Sequence, residues 1–343
     1  MSTDGVKLAD VAREAGVHPS TVSRVLSRPQ LIGEPTRAAV QAAIDRLGYV
    51  PNRAARQLAG GRTGTIGVLV PDITNPYFAC VVRSVQRRCG QSGYTMLLAD
   101  TDQSHDVELS QARALAPSVD GFIVCTPIAT TTQWRGLAGA KPLVFVNRRA
   151  AGVAWVVVDQ PAIVELGVQH LRAAGHDAIA VVRGPAAYWS SRQRDRMIRS
   201  LDGVVAIGPI RPDYDAGVTL ADELLAAGVT GVVAFNDQQA LGIIAGVRAA
   251  GRSVPGDLSV VGSDDIDAAA MSTPPLTTVT APMQRLGETA FAAIDQMLGG
   301  SDEHVSTSLP VTMSIRDSTA PPSRSTAVRL PTTRSSPPNG HPT

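Results

Sequence analysis

The chain has 343 residues, 44% of them hydrophobic, with 31 Lys and Arg against 30 Asp and Glu, enough for two or three substructures with substantial cores. Three cysteines, Cys80, Cys89 and Cys125, form an odd set without framework spacing, which excludes a disulfide scaffold and leaves idle thiols in a reducing compartment. No apolar run approaches membrane-spanning length, and the N-terminus lacks a charged-then-apolar leader pattern, so a cytoplasmic protein with no membrane partner is expected.

Charge is unevenly spread. Residues 1–62 carry nine Lys and Arg against five Asp and Glu, a net +4, which leaves −3 on the remainder of a chain whose total is +1. A basic head on a slightly acidic body suits a protein that touches phosphate at one end. Within the head, Leu8, Val11, Ala12 and Ala15 recur at helical spacing. Gly16 gives the backbone freedom for a sharp corner, and a second helix restarts at Pro19. Val22, Val25 and Leu26 face inward. His18, Pro19, Ser20, Thr21, Ser23 and Arg24 are left outside near the start of that helix, the end which a helix-turn-helix pushes into the major groove. A third helix is expected over 36–47, with Val40, Ala43, Ile44 and Leu47 as its apolar stripe, Gly33 as a weak cap and Gly48-Tyr49 as its stop. Pro51-Asn52 opens a segment of seven residues, 53–59, before Gly60-Gly61. Seven residues do not hold a helix alone in water, so a plain linker is one reading of this stretch.

From Gly64 onward, β-branched runs alternate with amphipathic stretches. Strands are expected at 66–70, 95–99, 121–125, 143–146 and 155–158, then at 179–182, 204–207, 231–235 and 258–261. Helices are expected at 76–89, 107–116, 162–174, 216–227 and 237–250. Continuously apolar strands separated by helices mean parallel sheets covered on both faces, and two such sets mean two α/β lobes. Polar residues close the strands: Asp72, Asp100, Thr126, Asn147 and Asp159 in the first set, Asn236, Asp237 and Asp264 in the second. Ligands bind outside the carboxyl ends of such strands. Amides and carboxylates facing each other across two lobes suit a ligand rich in hydroxyls, with Tyr77, Phe78 and Trp189 as an apolar or stacking wall. Asp72, Asp159 and Asp237 also precede helices, where Asp is favoured as a cap, so both roles stay open for each. Residues 319–343, rich in Pro, Ser, Thr and Arg, are expected to be a disordered tail.

Catalytic signatures are missing. The sequence has no G-x-G-x-x-G, P-loop or G-x-S-x-G, and its six histidines lack metal-ligand spacing. Asp264 and Asp265, neighbours at a strand end, point to opposite sides. The expectation is a non-enzyme without cofactor or metal.

Several strings occur in order at their family spacing: Asp10-Val11-Ala12, Ala15-Gly16-Val17, Ser20 through Leu26, Leu47-Gly48-Tyr49 and Pro51 through Leu58 in the head. In the body come Pro71 through Phe78, Asn147-Arg148, Asn236-Asp237, Leu258 through Gly262, Asp264-Asp265 and Pro274 through Val279. On these residues the chain resembles the LacI/GalR family of bacterial transcription regulators as far as about Pro321. The resemblance implies an α/β protein with an N-terminal all-α helix-turn-helix head at 1–50 and a hinge helix at 51–62. It also implies a two-lobed, doubly wound parallel-sheet body of the periplasmic-binding-protein type at 63–318. The function implied is that of an operator-binding regulator, usually a repressor, acting as a homodimer with a sugar-like effector in the cleft. DNA contacts are expected from Lys7, His18, Pro19, Ser20, Thr21, Ser23, Arg24, Asn52, Arg53, Ala55 and Arg56, with Leu58 as a minor-groove wedge from a hinge that becomes helical on DNA. Effector contacts are expected from Asn75, Asn147, Arg194, Asn236 and Asp264, beside Asp72, Tyr77, Phe78 and Trp189. Two departures stand out: Ser263 replaces a usual aromatic, and the segment 195–210 lacks the usual Gly-aromatic pair. A solute-binding protein for a sugar transporter is the alternative, since the body shares that architecture, and a cytosolic sugar enzyme is a third reading.

Overall fold

The computed structural model describes residues 6–27, 31–49, 62–301, 303 and 305–323. They fall into two compact units, Met1–Gly64 and Thr65–Thr343.

Among the described residues the first unit has three helices: α1 (Leu8–Glu14), α2 (Pro19–Ser27) and α3 (Glu34–Leu47). Val11, Ala12, Val22, Val25, Val40, Ala43 and Tyr49 form its core. Gly16, at φ +65°, makes the corner between α1 and α2, a conformation that costs a side-chain-bearing residue more. The third helix begins two residues before its expected start. Glu34 and Pro35 explain this, because an acid suits the positive end of the helix and Pro needs no N–H partner there. Left-handed Gly48 ends α3, and Tyr49 turns back into the core. The expected hinge helix at 51–62 lies, except for Arg62, outside the described residues.

Among the described residues the second unit contains two six-stranded sheets. In chain order the first lobe runs β1 (Thr65–Val70), α4 (Pro76–Gln91), β2 (Thr95–Asp100), α5 (His105–Leu115), β3 (Gly121–Cys125), α6 (Thr131–Ala138), β4 (Leu143–Val146) and β5 (Ala154–Val158). The chain crosses to the second lobe through α7 (Gln160–Ala173), β6 (Ile179–Val182), α8 (Trp189–Ser200), β7 (Val204–Ile207) and α9 (Tyr214–Ala226). That lobe continues with β8 (Gly231–Val233), α10 (Asp237–Ala249), β9 (Ser259–Asp264), α11 (Asp267–Met271) and β10 (Thr277–Thr280). Helix α12 (Met283–Leu298) returns to the first lobe, β11 (Ser306–Leu309) joins its sheet, and β12 (Thr312–Ser314) joins the second.

The sheet orders are β11-β5-β4-β3-β1-β2 and β12-β10-β9-β8-β6-β7. Among the described residues every pairing is parallel except that of β10 with β12. All six residues of β1 and of β9 are buried, as strands covered on both faces require. Leu286, Ala290, Phe291, Ile294 and Leu298 recur at helical spacing and set α12 into the first lobe's core. The chain therefore crosses between lobes three times, at 158–160, 280–283 and 309–312. One of the expected features is corrected here: residues 319–320 do not start a tail. The His170 ring pairs with the Thr319 hydroxyl at 2.9 Å, and the Ala320 carbonyl accepts from His176 Nε2 at 2.9 Å and from the Ser259 hydroxyl at 3.1 Å. Residues 324–343 lie outside the described residues.

Candidate functional site

The carboxyl ends of the two sheets open on one cleft. From the first lobe it is lined by Pro71, Asp72, Asn75, Tyr77, Phe78, Gln103, Thr126 and Asn147, and from the lobe crossing and second lobe by Val158, Gln160, Ile163, Tyr188, Ser190, Arg194, Pro212, Phe235, Asn236 and Asp264. The cavity volume of the cleft is about 60 Å³, which suits a compact guest.

On the first-lobe side, the Asp72 carboxylate accepts from Thr74 N at 2.8 Å and from its hydroxyl at 2.6 Å. Asn75 Oδ1 accepts from Tyr77 N at 3.0 Å and caps α4, so a single residue is both cap and cleft wall. Tyr77 and Phe78 meet edge to face at 5.0 Å. At the end of β4, Asn147 has a left-handed backbone at φ +59° and donates from Nδ2 to the Tyr77 hydroxyl at 2.8 Å. Its Oδ1 is buried without a partner. A buried acceptor without a partner is costly in a folded protein. Thr126, at φ +50°, and Asp264, at φ +132°, share this unusual backbone, so three strand ends at one cleft hold side chains in sparsely populated conformations.

The second lobe contributes the charge. Arg194 is buried on α8. Its Nε donates to Gln160 Oε1 at 2.8 Å, Nη1 to the Phe235 carbonyl, and Nη2 to the Ser263 hydroxyl at 3.4 Å. Ser263 thus holds the arginine where the resemblance leads one to expect an aromatic. Burial lowers the Arg194 pKa to about 10, so it remains a cation at neutral pH, and nearby Asp264 opposes that fall. Burial, then the neighbouring Asp237, pushes the Asp264 carboxyl well above the usual range, against the pull of Arg194. Asn236 caps α10 by accepting from Gln239 N at 2.9 Å and donates to the Pro212 carbonyl at 2.8 Å. Asp237 is not a cleft residue. It is fully buried and accepts from Thr278 and from Ile266 N, which ties α10 to β10 and to the end of β9. Asp159 caps α7 through Ala162 N. Asp265 turns away from the cleft to Arg316, Thr280 and Ser314.

Of the nine residues expected at the effector site, Asp72, Asn75, Tyr77, Phe78, Asn147, Arg194, Asn236 and Asp264 line the cleft. Trp189 does not. Its ring faces the Arg149 guanidinium at 5.7 Å, and it is the preceding residue, Tyr188, that enters the cleft. Gln103, Gln160, Tyr188 and Phe235 were missed. Only their position beside strand ends or helix starts could have signalled them.

In the head, Lys7, His18, Pro19, Ser20, Ser23 and Arg24 are exposed and Thr21 is half-buried, so one polar face surrounds the start of α2. His18 Nδ1 accepts from Ser20 N at 3.2 Å and pairs with the Ser20 hydroxyl at 2.8 Å, so the imidazole also caps α2. Asn52, Arg53, Ala55, Arg56 and Leu58 lie outside the described residues.

A helix-turn-helix unit and a two-lobed cleft in one chain define the class of DNA-binding regulators with a small-molecule site. Residues 7–52 match the family described as bacterial regulatory proteins, lacI family, and residues 168–319 match a periplasmic binding protein-like domain. The chain is 31% identical over 312 residues to the ribose operon repressor of Escherichia coli strain K12, covering 83% of this chain and 90% of that one. The crystal structure of the lac repressor dimer bound to operator and the anti-inducer ONPF superposes with a TM-score of 0.80 at 28% identity, over 92% of this chain and 100% of the other. A LacI family regulator from Enterococcus faecium with bound ribose gives a TM-score of 0.69 at 30% identity, over 75% and 99%. The chain belongs to the lacI family of bacterial regulatory proteins and is a DNA-binding transcriptional regulator. This sets aside the transporter-side alternative. The matched families are regulatory and binding-protein-like, with no catalytic family among them. Among the described residues no helix is long and apolar enough to cross a membrane, and no group of three or more His, Cys, Asp or Glu is placed to hold a metal ion.

Proposed function

We propose that this regulator is a homodimeric, non-catalytic repressor of the bacterial cytoplasm, whose operator affinity is altered by a small neutral polyhydroxy compound of pentose size in the cleft. Residues 1–50 act as the operator-reading head and 51–62 as a hinge in which Leu58 wedges into the minor groove beside Asn52, Arg53, Ala55 and Arg56. Residues 63–318 bind the effector and pair two copies. Lys7, His18, Pro19, Ser20, Thr21, Ser23 and Arg24 contact DNA.

The observation that carries the effector reading is the unpartnered Asn147 Oδ1, on a residue that lines the cleft together with Arg194 and Asp264. A hydroxyl satisfies that acceptor. A phosphate suits the cleft less well, because three of the five Arg194 N–H groups already bond Gln160, Phe235 and Ser263. The ribose bound to the Enterococcus faecium regulator and the name of the Escherichia coli relative favour a pentose. Effector binding alters the relation of the lobes and so the approach of the two hinges on DNA, a coupling between two sites.

The test pairs thermal shift with operator binding. D-Ribose, other neutral pentoses and hexoses, ribose 5-phosphate and purines are titrated into the full chain, and each is then added to complexes with duplexes selected from a random pool. A ligand that binds only the folded state raises the melting temperature. A neutral pentose is expected to do so and to change operator affinity. Stabilisation by a phosphorylated sugar or a purine, with none by neutral sugars, overturns the effector class.

A further inference from the structure

We propose that Tyr188 and Trp189, consecutive residues of the second lobe, clasp the first lobe at two separate points and so hold the cleft shut. Tyr188 is the residue before α8, and its side chain makes no cap there. Instead its hydroxyl donates to Gln103 Oε1 at 3.0 Å, across the cleft. Gln103 is a firm anchor. It sits in a turn just past β2 at φ +53°, its N–H bonded to the Pro71 carbonyl at 2.9 Å, while the Asp102 N–H bonds to the Asp100 carboxylate at 2.8 Å. Trp189 reaches a different part of the first lobe. Arg149, just past β4, has its guanidinium 5.7 Å from the Trp189 ring centre and 4.8 Å from that of Trp155 on β5. The cation is thus shared between an indole of each lobe.

The two contacts are spread apart. In the first sheet β1 and β3 lie between β2 and β4. At the spacing of neighbouring strands, the two anchor points are separated by roughly 14 Å. The segments after β1 and β3 supply the cleft residues Asp72, Asn75 and Thr126. A single contact would act as a pivot, whereas two, one on each side of those segments, resist both opening and twisting of the lobes. A neutral hydrogen bond and a partly exposed cation–π contact together favour closure by about tenfold. A shut cleft admits only a compact guest, so the clasp also selects for size. The clasp stands on these two contacts, and its consequence for affinity rests on the effector reading above.

The decisive experiment needs no ligand. Spin labels are placed on the full-length chain at Ser118→Cys in the first lobe and Glu223→Cys in the second, in a Cys80→Ser background, the labelled chain is diluted into excess unlabelled chain so that a dimer carries one labelled copy, and the distance between the two labels is measured by pulsed electron resonance. The clasped protein is expected to give one distance population. Tyr188→Phe, which keeps the ring and loses only the hydroxyl, and Arg149→Gln, which lies outside the cleft, are each expected to add a second population at a different distance. Their combination is expected to shift the ratio about tenfold, the size assigned to the two contacts. Arg149→Lys retains a cation for the two indoles and is expected to restore much of the closed population. Unchanged distances in the double variant overturn the clasp. D-Ribose titration into the same variants then reads affinity, which is expected to fall by the same factor. Failure of ribose to bind any of them overturns the effector reading alone, because the distance measurement has already decided the clasp.

Discussion

The Arg194 guanidinium lies 4.4 Å from the centre of the Phe235 ring, and the same arginine donates to the Phe235 carbonyl. One residue therefore holds both the face and the edge of the cation. The ring in turn needs the glycine at 184, since a Cβ there would come within 2.3 Å of a Phe235 carbon.

Arg194→Lys is expected to abolish sugar binding while costing the fold little more than one buried polar network. Lysine keeps the charge, but it has no planar face for Phe235 and no fork for Gln160 and Ser263. The stability loss is expected at about 1–3 kcal/mol, the scale of hydrogen bonds to a charged group. Gly184→Ala displaces Phe235 without touching the arginine and should weaken binding in the same direction. Calorimetry with the active sugar and melting of each variant check both, and normal affinity in Gly184→Ala would detach Phe235 from the site.

Acid is expected to loosen the second lobe at the 319–320 segment. Burial lowers the pKa of both His170 and His176, whose rings bond Thr319 and the Ala320 carbonyl. In the unfolded chain these rings take up protons as pH falls below about 6.5, whereas the folded protein resists. Unfolding thus takes up protons, and stability falls as pH drops from 7.5 to 5.5. Replacing His176 by Gln removes one such group, so the melting temperature of that variant should depend less steeply on pH. An unaltered slope would show that His176 is not part of this linkage.

Asp237 works in the opposite sense. Burial raises its pKa to about 6 in the folded state from the ordinary 3.8, despite the bonds from Thr278 and Ile266 N. Between those values the folded state holds a proton that the unfolded chain has released, so stability from this group falls as pH rises from about 4 to 6. Gly262 faces the carboxylate so closely that a Cβ would lie 2.2 Å from Oδ1, which leaves no room for water to relieve the burial. Asp237→Asn cannot titrate. The stability of wild type relative to that variant is therefore expected to improve as pH falls from 7 to 5, as followed by chemical denaturation at each pH. A constant difference would mean that Asp237 stays charged throughout.

The strands that position the cleft were legible because they are unbroken apolar runs: 121–125, 143–146, 179–182 and 204–207 match the structure residue for residue. The edge strands β11 and β12 were not, since Ser306–Leu309 and Thr312–Ser314 are largely Thr and Ser, and they are ordered by pairing with β5 and β10 rather than by their own pattern. Strand ends exposed most of the cleft, because a polar residue after an apolar run has few other places to be. Side chains entering from helix starts were hidden: Gln160 and Tyr188 sit among residues of similar polarity, and the backbone direction before α8 decides that Tyr188 points inward and Trp189 across to Arg149. The caps were ambiguous for a physical reason, since Asn75 and Asn236 use one oxygen for the helix and still line the cleft.

His18 is expected to have two separable roles on the exposed face proposed to read DNA, and this gives the sharpest test of the head. Its Nδ1 accepts from Ser20 N, which satisfies one of the free N–H groups at the start of α2 and leaves Nε2–H directed away from that bond. His18→Ala removes both functions. It should expose the first-turn amides of α2 to faster hydrogen exchange, with a cost of about 1 kcal/mol for the lost cap, and weaken operator binding. His18→Asn restores an oxygen acceptor for the cap but has no imidazole, so exchange protection should return while the preferred operator base changes. Arg24→Ala leaves the cap alone and should cost about 1–3 kcal/mol on the selected operator, with relaxed choice at one base pair, as the loss of a bidentate contact to guanine predicts. The measurements are exchange on the full-length chain and selection from random duplexes for each variant. If His18→Asn selects the same operator as the unaltered protein, His18 is a cap only, and reading falls to Ser20, Ser23 and Arg24, which are exposed on the same turn and the next.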